Sequence, residues 1–239
     1  MVKSRLNIIM IAGVLAVTSA VYAIDKKPVN AINTDQLIRE TQISASSSDN
    51  QMNLVWWIPC EFWQGVFSND KMTPEAQKEQ IINTLKPYSL VMVCQADISN
   101  FGTFGFYNKA EIGKNLGISY KTPDGNVSRL IPLNDADIPA DLKMMLEMLK
   151  PMFTAAAGNM GQNMHFFVLK DYDSAGGRKL DPYRFGTLDF RLGSRSAKTM
   201  QVQLELPLNS LCVPRICPNG KEAHVTWKYC PWTGQKLKD

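Results

Sequence analysis

Hydrophobic positions along this chain recur with three spacings, and each spacing predicts an element. Leu54-Val55-Trp56-Trp57-Ile58 is aromatic and β-branched and ends at Pro59, which predicts a strand. Tyr88 to Gln95 is almost continuously apolar, as in a central strand covered on both faces. From Pro139 to about Ala157, the residues Leu142, Met145, Leu146, Leu149, Met152 and Phe153 fall on one helical face. Pro151 inside that pattern predicts a kink or break near Glu147 to Leu149, because its ring removes a donor and crowds the preceding turn. A second helix opens at Thr73-Pro74-Glu75, with Thr73 as cap, buries Ile81, Ile82 and Leu85, and stops at Lys86-Pro87. Ile118 to Lys121 and Val127 to Leu133 flank Pro123-Asp124-Gly125-Asn126, a hairpin signal. Met164 to Leu169, Thr187 to Leu192 and Gln201 to Leu206 read as strands, the last alternating as a half-exposed edge does. Phe101 to Phe106 is either a glycine-bent strand or a loop presenting aromatics, and the charged stretch from Asp171 to Gly186 reads as a surface loop.

Strand, helix, strand, hairpin, helix and then several strands is an α+β order. It predicts a mostly antiparallel sheet with two main helices on one face and a small cysteine-containing C-terminal tail. The α+β domain is expected over 51–210 and the tail over 211–239. Residues 24–50 read as a polar lead-in: a short helix from Thr34 to Ile43, then a linker of small polar residues with nothing to bury. Ahead of it, Lys3 and Arg5 precede an apolar run from Ile8 to Val17, and Val21 and Ala23 place small residues where a signal peptidase needs them. Residues 1–23 therefore read as a cleavable signal peptide, with a mature chain beginning at Ile24 in the periplasm or outside the cell. The run is shorter than the roughly 20 apolar residues of a membrane span. No other segment reaches that length, so no transmembrane span is expected in the mature protein.

Charge narrows the partners. The formal net charge is +4, and Lys3 and Arg5 leave only +2 on the expected mature chain. A nucleic-acid binder concentrates a basic face, so no nucleic acid is expected; a small ligand or another envelope protein is the partner class. The chain has 5 cysteines: Cys60, Cys94, Cys212, Cys217 and Cys230. An oxidising compartment favours disulfides, and an odd count leaves at least one thiol outside any intrachain pair.

The tail holds the most specific pattern. Cys217-Pro218-Asn219-Gly220-Lys221 and Trp227-Lys228-Tyr229-Cys230-Pro231-Trp232-Thr233-Gly234 resemble the two knuckles of a zinc ribbon, each a Cys-Pro-x-Cys-Gly turn aiming two thiolates at one metal. Gly220 and Thr233 stand where the second cysteines would be. The resemblance implies that Cys217 and Cys230 lie close together. With two of four ligands replaced, it implies a disulfide between them and no cofactor. The alternative is zinc held by Cys212, Cys217, His224 and Cys230. A wider resemblance rests on Trp57-Ile58-Pro59, Glu61-Phe62-Trp63 and the stretch from Met160 to Phe167. It is to a family of exported bacterial proteins of uncharacterised activity and implies no reaction.

Other candidates each have a plainer reading beside them. Cys60, after a strand, is a nucleophile only if a helix N-terminus lowers its pKa; otherwise it is buried or bridged to Cys94. His165 is a single histidine among apolar residues. Trp57 and Trp63 could line a ligand groove, but strand and helix aromatics are more often core. Met144, Met145, Met148 and Met152 read as core before copper-binding thioethers. Asp135, Asp137 and Asp141, like Asp171, Asp173 and Asp181, lack calcium-loop spacing and read as exposed faces. With no triad, metalloprotease motif or phosphate loop, the expectation is a non-enzymatic binding or interaction module. An envelope hydrolase or thiol-dependent enzyme using Cys60 or His165 is the alternative, and structural metal binding by the tail is another.

Overall fold

The computed structural model describes residues 24–45, 50–195 and 199–238; the expected signal peptide lies outside them, as do the side chains of Met152 and Phe153. The described part of the expected lead-in, 24–45, is built into the fold, while residues 46–49 of its polar linker lie outside the described residues. The Asn33 side chain caps α1 (Thr34–Thr41) by accepting from the Gln36 amide at 3.0 Å. Thr41 at its end donates to the Leu37 carbonyl at 2.8 Å and accepts from Trp56 Nε1 at 3.1 Å. The chain then enters β1 (Gln42–Ala45), which pairs antiparallel with β2 (Gln51–Ile58). Backbone bonds from Lys27 to Leu211 and from Val213 to Asp25 tie the start of this segment to a distant part of the chain.

After β2 come α2 (Cys60–Asn69), α3 (Glu75–Leu85), β3 (Tyr88–Ile98) and β4 (Phe104–Phe106). Pro74, not Thr73, occupies the N-cap position of α3. Next are α4 (Lys109–Asn115), β5 (Leu116–Lys121), β6 (Val127–Leu130), α5 (Ala140–Ala157), α6 (Asn159–Gln162) and β7 (His165–Lys170). The order ends with β8 (Gly186–Gly193), β9 (Thr199–Leu206), β10 (Arg215–Ile216) and β11 (Glu222–Ala223). This is an α+β fold, and every strand pairing among the described residues is antiparallel.

The antiparallel pairing expected holds throughout the described residues, and the strands divide between sheets. Five of them run β1-β2-β3, with β7 and β4 sharing the far edge of β3; four others form a second sheet in the order β6-β5-β8-β9. One apolar cluster joins the two, drawing Trp57, Val91 and Val168 from the first sheet and Ile118, Leu188 and Phe190 from the second. β3 is buried from Ser89 to Ala96, as its apolar run requires. β9 alternates and lies at an edge. On α5, Leu142 and Leu146 are buried while Met144 and Met148 face solvent, so only part of the methionine group is core. The helix is continuous through Pro151. Phe101 at the β3–β4 turn is 97% exposed and Phe104 is 47% exposed, so this stretch presents aromatics.

Candidate functional site

A buried ionic trio organises the loop after β7. Glu61 is in the first turn of α2, and Asp171 follows directly on β7; both carboxylates are buried. Arg178 joins them. Its Nη1 and Nη2 donate to Glu61 Oε1 and Oε2 at 2.5 and 3.0 Å, and its Nε donates to Asp171 Oδ2 at 2.8 Å. Asp171 Oδ1 accepts from the Leu180 amide at 2.8 Å. The planar fork of the guanidinium suits this double carboxylate, and its bonds are charge-assisted. Burial pushes the Asp171 carboxyl up, against the lowering effect of Arg178. Arg178 is held in its charged form despite burial, chiefly by its bonds to Glu61. The expectation that Asp171 sits on an exposed face is overturned: it is 0% exposed, because Arg178 supplies the partner that lets it be buried.

The trio fixes one wall of an open cleft of about 500 Å³ between the β5–β6 hairpin and this loop. Arg129 of β6, Lys170 at the end of β7, and Arg178, Lys179 and Arg184 of the loop line it, with Asp173 the lone carboxylate of the lining. Asp173 turns inward to its own loop, where Oδ1 accepts from the amides of Ala175 and Gly177 at 2.9 and 2.8 Å. Gly176, with φ +80°, makes that turn. Arg184 lies over the Tyr120 ring, 5.4 Å from its centroid. Among the described residues, Arg129, Lys170, Lys179 and Arg184 make no ion pair. The lining is therefore cationic and hydrogen-bond donating, a surface suited to anions.

The residues singled out in the sequence fall elsewhere. Cys60 is buried at the start of α2, and burial, then Glu61, pushes its thiol up to about 11, so it is no thiolate at neutral pH. A Cys60–Cys94 bridge is overturned by the register. Ile58 pairs with Leu90 and Leu54 with Cys94, so Cys60 lies beyond the opposite end of the paired segment. Four residues of strand from Leu90 to Cys94 already span roughly 13 Å, and a disulfide needs Cα atoms within about 7 Å. His165 lies at the start of β7 in a smaller cleft of about 260 Å³ with Lys109, Lys143 and Lys150. Burial lowers its pKa, its ring hydrogen-bonds the backbone of Tyr107, and its Nε2 is buried without a partner. No carboxylate hydrogen-bonds to it among the described residues. Trp57 and Trp63 line no groove: they are 0% and 7% exposed. Trp57 Nε1 donates to Ser89 Oγ at 2.7 Å, and Trp63 packs edge-on to Phe62.

The tail folds as two opposed turns. In the first, the Gly220 amide bonds the Cys217 carbonyl and the Cys217 amide bonds the Lys221 carbonyl, both at 2.8 Å. In the second, the Gly234 amide bonds the Cys230 carbonyl at 2.9 Å and the Cys230 amide bonds the Gln235 carbonyl at 2.8 Å. Gly220 and Gly234 have φ of +78° and +68°, where glycine carries no Cβ penalty. Cys217 and Cys230 meet in a small buried cluster with Ala223 and Leu237. They are near but not bonded, and all five cysteines are thiols. The zinc set is not assembled. Cys212 Sγ is turned to the Leu208 carbonyl at 3.2 Å, and His224 Nδ1 to Thr226 Oγ1 at 2.8 Å. Among the described residues no group of three or more His, Cys, Asp or Glu could hold a metal.

Sequence reasoning missed the cleft, because no local motif encodes it. The only trace is the excess of Lys and Arg over unburied Asp between Lys170 and Arg184. Comparison of this chain with family models, with curated proteins and with solved structures gives no match.

Proposed function

We propose that this chain is an exported, non-enzymatic binding module whose cleft takes a small polyanion carrying several carboxylates or phosphates. The observation that carries this reading is the convergence of Arg129, Lys170, Lys179 and Arg184, none ion-paired among the described residues, on one cleft. Glu61 and Asp171 turn their carboxylates to Arg178 and to the Leu180 amide, so they hold the loop in shape and leave the outer cations to a ligand. The export part of the reading rests on the charge and hydropathy pattern of residues 1–23. The non-enzymatic part rests on Cys60 being a buried, protonated thiol and on His165 making no hydrogen bond to a carboxylate among the described residues, although Asp135 and Glu147 line its cleft.

The test is calorimetric titration of the mature chain with citrate and with pyrophosphate at low ionic strength, glucose serving as the neutral control. Saturable binding of at least one anion is expected, weakening as salt is raised. It should weaken by tenfold or more in the double variant Lys170→Ala, Lys179→Ala. If neither anion binds at millimolar concentration, or the double variant binds as the parent does, the reading is wrong.

A further inference from the structure

The 5 cysteines divide into two chemical groups. Cys60, Cys94 and Cys212 are each buried, Cys94 within the main apolar cluster, and burial pushes each thiol up to about 11. Cys94 Sγ points to the Met160 carbonyl at 3.8 Å and Cys212 Sγ to the Leu208 carbonyl, so neither faces a second sulfur. Cys217 and Cys230 face one another across the two tail turns. We infer that Cys217 and Cys230 are a redox pair, a dithiol that a disulfide-bearing oxidant closes into an intrachain bond between the knuckles.

The geometry supplies the ingredients of thiol–disulfide exchange. Each cysteine opens a turn closed by backbone bonds on either side, so the two Cβ atoms are held by short, hydrogen-bonded loops. The Cys230 thiolate is favoured by hydrogen bonding from Cys217, from the Thr233 hydroxyl and from the backbone at Trp232 and Thr233. These bonds outweigh burial and bring the Cys230 thiol down to about 7, while burial and the neighbouring sulfur push Cys217 up to about 11. The two turns hold the sulfurs together in one small cluster, so closure is intramolecular, and the lowered Cys230 thiol makes it the better nucleophile of the two, with Cys217 as the resolving thiol.

The Cys230 thiolate attacks one sulfur of the oxidant's disulfide, and the oxidant's other sulfur leaves as a thiolate. Cys217 gives its proton to that leaving thiolate and attacks the Cys230 sulfur of the mixed disulfide. The Cys217–Cys230 bond forms and the oxidant's first sulfur departs, taking the proton lost earlier by Cys230. Two thiols of the chain are oxidised and one disulfide is reduced to two thiols.

The test equilibrates the full mature chain in oxidised and reduced glutathione at neutral pH. Free thiols are then alkylated under denaturing conditions and the peptides mapped. Two thiols should be lost together, with the Cys217 and Cys230 peptides joined and Cys60, Cys94 and Cys212 fully alkylated. In Cys217→Ser, a stable glutathione adduct should form on Cys230 several-fold faster than one forms on Cys217 in Cys230→Ser. The inference is overturned if both tail thiols remain free in oxidised glutathione, or if a bridge forms to Cys60, Cys94 or Cys212. It is also overturned if the untreated chain, both tail thiols free, retains one equivalent of zinc. These outcomes do not depend on whether the cleft binds an anion.

Discussion

The Arg178 trio and the Cys217–Cys230 pair are both buried polar clusters, but they depend on the chain in opposite ways. Arg178 reaches a carboxylate 117 residues away and exists only once β7, α2 and the intervening loop have packed. The cysteine pair is assembled by two neighbouring turns within one short stretch, each closed by its own backbone bonds. The first borrows its burial from the main core. The second is buried in a small cluster of its own with Ala223 and Leu237. A buried charge must be fully paired or it destabilises, whereas a thiol pair tolerates a thin shell because neither sulfur need be ionised.

The largest expected effect follows from that asymmetry. Arg178→Met leaves two buried carboxylates facing each other, and breaking such a cluster from one side costs about 3–5 kcal/mol. Urea denaturation should show this loss. Arg178→Lys should fall between the two, because an ammonium cannot bond both Glu61 oxygens and Asp171 in one plane. A loss below about 1 kcal/mol for Arg178→Met would mean that the loop is held by something other than the trio.

The tail should respond on its own. In the oxidised chain, Cys217→Ala is expected to cost about 2–4 kcal/mol, because the bond closes a short loop. The loss should be confined to the tail and read as faster amide exchange at Cys230 and Leu237, with the main unfolding transition unmoved. An equal shift of the main transition would show that tail and core fold as one unit and would break the comparison.

The same contrast explains what was legible in the sequence. The elements written locally are there: the buried run of β3, the Pro123–Asn126 hairpin with Gly125 at φ +90°, the buried Leu142 and Leu146 of α5 and the edge alternation of β9. The tail cysteines lie together, as the zinc-ribbon resemblance of their two turns implies. What was missed is non-local. Nothing in Gln42–Ala45 signals a strand, because its hydrogen bonds to β2 and not its side chains make it one. Nothing near Asp171 announces that Glu61 and Arg178 will bury it. The division into a five-stranded and a four-stranded sheet depends on β5 choosing β8 over β3, a pairing that periodicity does not specify.

A smaller effect separates the outer cations of the cleft from Arg178. Lys179 is exposed and makes no ion pair among the described residues. Lys179→Ala should change stability by no more than about 0.5 kcal/mol. It should still weaken anion binding severalfold. A stability loss approaching that of Arg178→Met would place Lys179 in the scaffold and not in the ligand-facing wall.

The smallest effect is a pH signature of the reduced tail. The Cys230 thiol is lowered from 9.0 to about 7 in the folded chain, so its contribution is present above pH 9 and is lost as pH falls through 7. The Cys217 thiol is raised from 9.0 to about 11, so its contribution is present below pH 9 and is lost as pH rises through 11. Between pH 7 and 9 the folded tail binds fewer protons than the unfolded one and gains stability. Between 9 and 11 it binds more and loses it. The reduced tail should therefore be most stable near pH 9, as followed by the indole resonances of Trp227 and Trp232 during urea titration. Oxidation removes both titrating thiols and should flatten that maximum. A maximum that persists after oxidation would have to come from other groups, and Cys230 would lose its place as the tail's thiolate.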